Sequence, residues 1–321
     1  MRQISTKVGD NRARASVVIG RNSLIGHALM DSISAQRENV WGSIKNLTSA
    51  DEKTFRLDLS EDNIAQQLDI DIIKALNGQS LTCFMCAAIS RFNDCVQNPE
   101  LSYTVNVRNT LEVAKFFLRK GSAFVFLSSS AVFDGTRPFC TEEYPTSPVS
   151  VYGRQKVLVE EGLVQIQQQY KGTVKIIRLT KVLSKTLPLI NEWITRLKSN
   201  QVIYAYDDLT FSPVSVKHVV QSLRYINLYR TNKYEILHTS GEQDITYYNF
   251  ALKLAEYLGV DLNLVQKNHM RVDVKPRTNA ASYSALGVSL VTSCTPTSAQ
   301  SIDSVIQDLF EREDDESSVG S

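Results

Sequence analysis

No stretch of this chain approaches the roughly 18 consecutive apolar residues that a membrane-spanning helix requires. The N-terminal MRQISTKVGDNRARA holds no apolar core of signal-peptide length. Excess charge is missing too: 35 Lys and Arg against 34 Asp and Glu leave a formal net charge of +1. The cations are scattered, with no basic stripe for a nucleic acid and no polybasic patch for a lipid surface. Five cysteines (Cys83, Cys86, Cys95, Cys140, Cys294) are an odd set for a disulfide framework. Cys83 and Cys86 form a CxxC, but it lies in the apolar run LTCFMCAAIS. On a strand, residues three apart face opposite sides, and no second CxxC or His pair completes a metal site. His218 and His269 likewise have no paired ligands. The expectation is a cytoplasmic, soluble protein with structural free thiols, no metal, no nucleic-acid partner and no membrane partner.

What is present is a rhythm. Short apolar runs alternate with helical patterns through the first half: ARASVVIG, ENVWGSI, TFRLDL, LTCFMCAA, SAFVFLSS and TVKIIRLTKVL read as strands. Between them IGHALMDSISAQ, DNIAQQLDIDIIKAL, NTLEVAKFFLRK and VYGRQKVLVEEGLVQIQQQ read as helices. This β-α-β order predicts an α/β fold with a doubly wound parallel sheet, the Rossmann dinucleotide-binding architecture, over residues 14–185. After residue 185 the rhythm changes, predicting a smaller interleaved α/β substrate domain over 186–310, with about 214–238 returning to the Rossmann part. The acidic, small-residue ending, 311–321, predicts a disordered tail.

At the first strand-to-helix turn stands Gly20-Arg21-Asn22-Ser23-Leu24-Ile25-Gly26. Glycine at such a turn lets backbone approach a pyrophosphate, and the helix N-terminus offers free N–H groups with positive partial charge. A plain strand-helix turn fits the same residues, and Ser23 occupies the usual middle-glycine position. The second strand ends in Trp41-Gly-Ser-Ile-Lys45 without the Asp or Glu that binds a ribose 2′-hydroxyl. Arg21 and Lys45 could neutralise a 2′-phosphate instead. The cofactor expected is NADP(H), with NAD(H) as the alternative.

SVYGRQK, after the fifth strand, sets Tyr152 and Lys156 one helical turn apart on one face. A free tyrosine has a pKa of about 10. A nearby ammonium should favour the phenolate and so ease proton exchange. Ser129, at the end of the fifth strand, could hold a substrate oxygen against Tyr152. A partly buried tyrosine beside a surface lysine would look the same in isolation.

In order, GRNSLIG, Asp58-Leu59, CAAIS with Ala87 and Ala88, Asn106-Val107, LSSSAVFDG and Tyr152-x-x-x-Lys156 resemble the extended short-chain dehydrogenase/reductase superfamily over roughly residues 14 to 300. Within it, Val132-Phe133-Asp134-Gly135 and Lys275-Pro276-Arg277 are most similar to dTDP-4-dehydrorhamnose reductases. The resemblance implies that Asp58 and Leu59 meet adenine, that Asn106 opens a helix, and that Lys156 binds the nicotinamide ribose. It implies further that Ser130, Arg178 and Arg277 serve the substrate, with Lys181 near the nicotinamide. Sugar-nucleotide dehydratases carry an Asp-Glu pair after the catalytic hydroxyl, where this chain has Ser130-Ala131, so dehydration is not expected. The activity implied is NADPH-dependent reduction of a nucleotide-activated 4-keto sugar, with Ser129, Tyr152 and Lys156 catalytic. A 4-epimerase and a non-catalytic nucleotide-binding regulatory subunit are the alternatives. The partner implied is a nucleotide-sugar substrate, with a homodimer left open.

Overall fold

The computed structural model describes residues 14–47, 52–69, 80–228, 235–269, 282–288 and 298–311. Six strands follow the predicted order: β1 (Arg14–Ile19), β2 (Asn39–Ile44), β3 (Thr54–Arg56), β4 (Ser80–Met85), β5 (Ala123–Ser129) and β6 (Thr173–Leu179). A seventh, Glu235–Thr239, joins β6, giving the parallel order Glu235–Thr239, β6, β5, β4, β1, β2, β3. The α/β doubly wound sheet expected from the sequence is the observed one. Its strands carry near-continuous apolar runs because helices cover both faces. Val17, Ile19, Cys83, Phe124 and Phe126 belong to one core, whereas Val18, Phe84, Val125 and Ile177 belong to the other. Cys83 and Cys86 pack against opposite cores, as a strand's alternation requires.

The run read as one sixth strand is two. It breaks at Thr180, whose N–H donates to Thr239 O at 3.3 Å, and Lys181–Leu183 then pairs with Pro213–Ser215 away from the large sheet. Helix Val216–Leu228 packs back against helix Leu24–Ala35 beside the second core. A third core gathers Trp193, Leu197, Phe250, Leu254, Val305 and Ile306 from three C-terminal helices. One of these, Ile302–Phe310, was not among the expected elements. Of the acidic tail, residues 312–321 lie outside the described residues.

Candidate active site

Strand ends β4, β5 and β6 open together on a cleft of about 960 Å³. Its walls bring together Ser23, Leu24, Ile25, Ala87, Ala88, Ser129, Ser130, Tyr152 and Lys156, residues spread over more than a hundred positions. Such a crevice at the carboxyl ends of parallel strands is where open α/β sheets bind ligands.

The glycine loop is shaped by close approaches. Gly20 has φ +88°, and a Cβ there would lie 2.7 Å from the Ala87 Cβ. At Gly26 a Cβ would lie 2.2 Å from Gly20 O. Ser23 earns its place where a glycine was expected: its hydroxyl donates to Gly20 O at 2.8 Å and accepts from Gly26 N–H at 3.1 Å, capping helix Leu24–Ala35. The loop is thus self-braced, with Leu24 and Ile25 of the first helical turn facing the cleft. The missing Cβ at Gly20 makes room for Ala87, and the open helix-terminal positions fit a dinucleotide pyrophosphate.

Four other positions lie off the cleft wall, at the β2–β3 side. The stem of Arg21 lies on Gly42, where a Cβ would be 2.7 Å from that of Arg21, and its guanidinium hydrogen-bonds Thr54 Oγ1. Lys45 is not an isolated cation. It pairs with Asp58 at 3.5 Å and donates to Ser60 Oγ at 3.3 Å. Burial works against the Asp58 charge, yet hydrogen bonds from Ser60 and the Lys45 ammonium hold its carboxyl below the usual value. Leu59 is core.

Tyr152 and Lys156 ride on helix Val151–Gln169, capped by Ser150, whose Oγ accepts from Gly153 N–H at 2.9 Å. Lys156 is buried. Its Nζ donates to Leu127 O at 2.7 Å and stands 4.5 Å from the Phe126 ring centroid and 5.4 Å from that of Tyr152. Desolvation pulls this ammonium down to about 8, against the opposing charge of Glu160 one turn on. The expectation that Lys156 would bias Tyr152 toward phenolate is corrected here: burial dominates and pushes the phenol above its ordinary value. Phe92 meets the Tyr152 ring edge-on at 5.6 Å and adds to that apolar surround. Ser129 Oγ accepts from Ala131 N–H at 3.2 Å, which orients the hydroxyl at the strand end.

Arg178 is also corrected. It does not line the cleft. Its guanidinium is buried behind it, bonded to both Glu160 oxygens at 3.1 and 2.6 Å, and Ser128 Oγ donates to the same carboxylate at 2.5 Å. Arg277 lies outside the described residues.

Sequence reasoning missed how the loop after β4 is fastened. Asn106 does not open a helix; it sits inside a π-helical turn, Thr104–Arg108, between helices Pro99–Tyr103 and Asn109–Arg119. Its Oδ1 accepts from Ile89 N–H at 2.8 Å, and its Nδ2 donates to Ile89 O at 2.9 Å and to Gln155 Oε1 at 2.8 Å. Gln155 Nε2 then donates to Ser102 Oγ at 2.8 Å. The loop carrying Ala87 and Ala88 is tied to the very helix that carries Tyr152. A glutamine beside Lys156 was the one local signal.

Residues 15–314 match the family model described as the RmlD substrate binding domain. The chain belongs to that family. Its expected place among extended short-chain dehydrogenase/reductases is therefore shown. Among curated relatives, it is 23% identical over 287 residues to a probable low-salt glycan biosynthesis reductase, Agl14, of Haloferax volcanii, covering 83% of this chain and 89% of that one. It is 25% identical over 261 residues to methionine adenosyltransferase 2 subunit beta of Bos taurus, covering 76% and 72%. The fold is similar to that of dTDP-4-dehydrorhamnose reductase from Bacillus anthracis in complex with NADP, with a TM-score of 0.76 at 19% identity over 94% and 99% of the two chains. No helix among the described residues is long and apolar enough to cross a membrane.

Proposed function

We propose that this family member reduces a nucleotide-activated 4-keto sugar with NADPH. The observation that carries the reading is the convergence of Ser129, Tyr152 and a buried Lys156 on one cleft that also contains the glycine-loop helix terminus. When bound, the reduced nicotinamide supplies the hydride. Ser129 Oγ holds the carbonyl oxygen, and Tyr152, kept protonated by burial, gives its proton as charge develops there. Lys156 is held by Leu127 O within reach of the phenol, where its positive charge offsets the phenolate that the transfer leaves. Residues Ser130 and Ala131, which follow Ser129, start a 3-10 turn and offer no carboxylate for eliminating water. Asp134, on the cleft wall, already accepts from Thr136 N–H and Oγ at 2.9 and 2.7 Å.

Purified protein mixed with NADPH and a dTDP- or UDP-linked 4-keto sugar should consume nicotinamide absorbance. Tyr152→Phe should lower kcat by about 10²-fold or more with an unchanged melting temperature. No turnover by the wild type on any such sugar would overturn the reading.

The match to a methionine adenosyltransferase beta subunit supports a second reading, a nucleotide-binding regulatory subunit. Cofactor bound without redox turnover, together with stable copurification of a catalytic partner, would favour it.

A further inference from the structure

The cleft contains a cation the chemistry above does not use. β5 and β6 run parallel with Ser129 opposite Leu179, and the chain leaves β6 through Thr180 to Lys181. The Lys181 backbone is fixed, because Lys181–Leu183 pairs with Pro213–Ser215 and Lys181 N–H donates to Ser212 O at 3.0 Å. Its side chain is exposed and lines the same cleft as Ser129 and Tyr152. Among the described residues no carboxylate pairs with it. The cleft walls draw its ammonium below the ordinary lysine value, and no neighbouring acid acts in the other direction. Lys45, by contrast, has Asp58. A cation on a backbone held at the strand end, with no carboxylate paired to it among the described residues, is suited to receiving an anion.

Position says which anion. The glycine loop follows β1, and the sheet order places β6 three strands away, about 14 Å at the usual strand spacing. The cofactor pyrophosphate held at that loop is therefore on the far side. Lys181 instead sits next to the strand end that carries Ser129, where the reacting carbonyl is held.

We infer that Lys181 is a specificity-determining residue that receives a carboxylate carried by the sugar ring close to the reacting carbon. The inference rests on the nucleotide-sugar reading and narrows its substrate class to acidic sugars. Loss of Lys181 should cost affinity for an acidic sugar nucleotide and leave its neutral counterpart alone.

UDP-glucuronic acid and UDP-glucose differ only by that carboxylate, and calorimetric titration of the full chain with NADP⁺ present separates them. The wild type should bind the acidic probe roughly tenfold tighter. Lys181→Met should erase that preference, Lys181→Arg should keep most of it, and UDP-glucose affinity should change by less than about twofold. Equal loss for both probes would assign Lys181 to the substrate diphosphate and overturn the inference. So would an unchanged ratio, or binding of neither probe. NADPH oxidation keeps the two readings apart. Turnover of a neutral 4-keto sugar nucleotide without acidic preference removes only the Lys181 inference. Acidic preference without turnover removes only the reductase.

Discussion

A side-chain carbon on Gly153 would lie 2.1 Å from the carbonyl oxygen of Ala131. The helix bearing Tyr152 therefore rests directly on the turn that follows Ser129, and only glycine permits it. Gly153→Ala should push the two apart. The expected cost is about 1–3 kcal/mol from overpacking, read as a lower midpoint in urea, and turnover should fall by far more than the loss of folded protein explains.

Lys156 sets a pH limit on the proposed reaction. Its ammonium, drawn down to about 8 by burial, loses its proton as pH rises through that value, whereas the phenol keeps its own. kcat/KM for reduction should fall on the alkaline side with a midpoint of about 8. Stability should move the other way. Above about 8 the folded lysine has released a proton that the unfolded one still binds, so stability rises until about 10.5. A rate profile flat to pH 10, in buffers of matched ionic strength, would contradict this.

The Arg178–Glu160 pair is deeply buried, with side chains 3% and 5% exposed. Arg178→Met leaves Glu160 charged and unpaired in the core, and should cost about 3–5 kcal/mol. Adding Glu160→Leu should recover much of that loss. Urea unfolding of the single and double variants decides it; a double variant no better than the single would show that the pair was not the source.

His238 gives an acid-side test. It is fully buried, its Nδ1 lies 2.9 Å from Gly287 O and so donates, and its Nε2 faces Arg178. Burial and the Arg178 charge hold its pKa down to about 3. Between about 3 and 6.5 the unfolded ring binds a proton the folded one refuses, so stability should fall as pH drops through that window. His238→Asn retains a donor for Gly287 O and should show a shallower loss, measured as urea midpoints across the acid range.

Much of this was legible in the sequence because it is local. Strand-ending Ser129 and the one-turn spacing of Tyr152 and Lys156 follow from periodicity alone. Arg178 was misread because the side of β6 it faces is settled by Glu160, which reaches it from a separate helix. Asn106 and Gln155 are 49 residues apart, and no local pattern announces their bond. The phenol's upward shift was equally hidden, since it depends on how deeply Phe92 and the surrounding chain enclose it. Helix Ile302–Phe310, by contrast, could have been read: Ile302, Val305, Ile306 and Leu309 form an apolar stripe after a Ser301 cap.

The late arrival of Glu235–Thr239 bears on synthesis. Until residue 239 leaves the ribosome, β6 is an apolar edge with one row of backbone donors and acceptors unpaired. Such edges recruit other chains. The nascent protein therefore carries a sticky margin while the first part of the third core, from Leu183 to Phe211, is being made, and conditions that slow translation across residues 180–235 should raise its aggregation before they affect the finished fold.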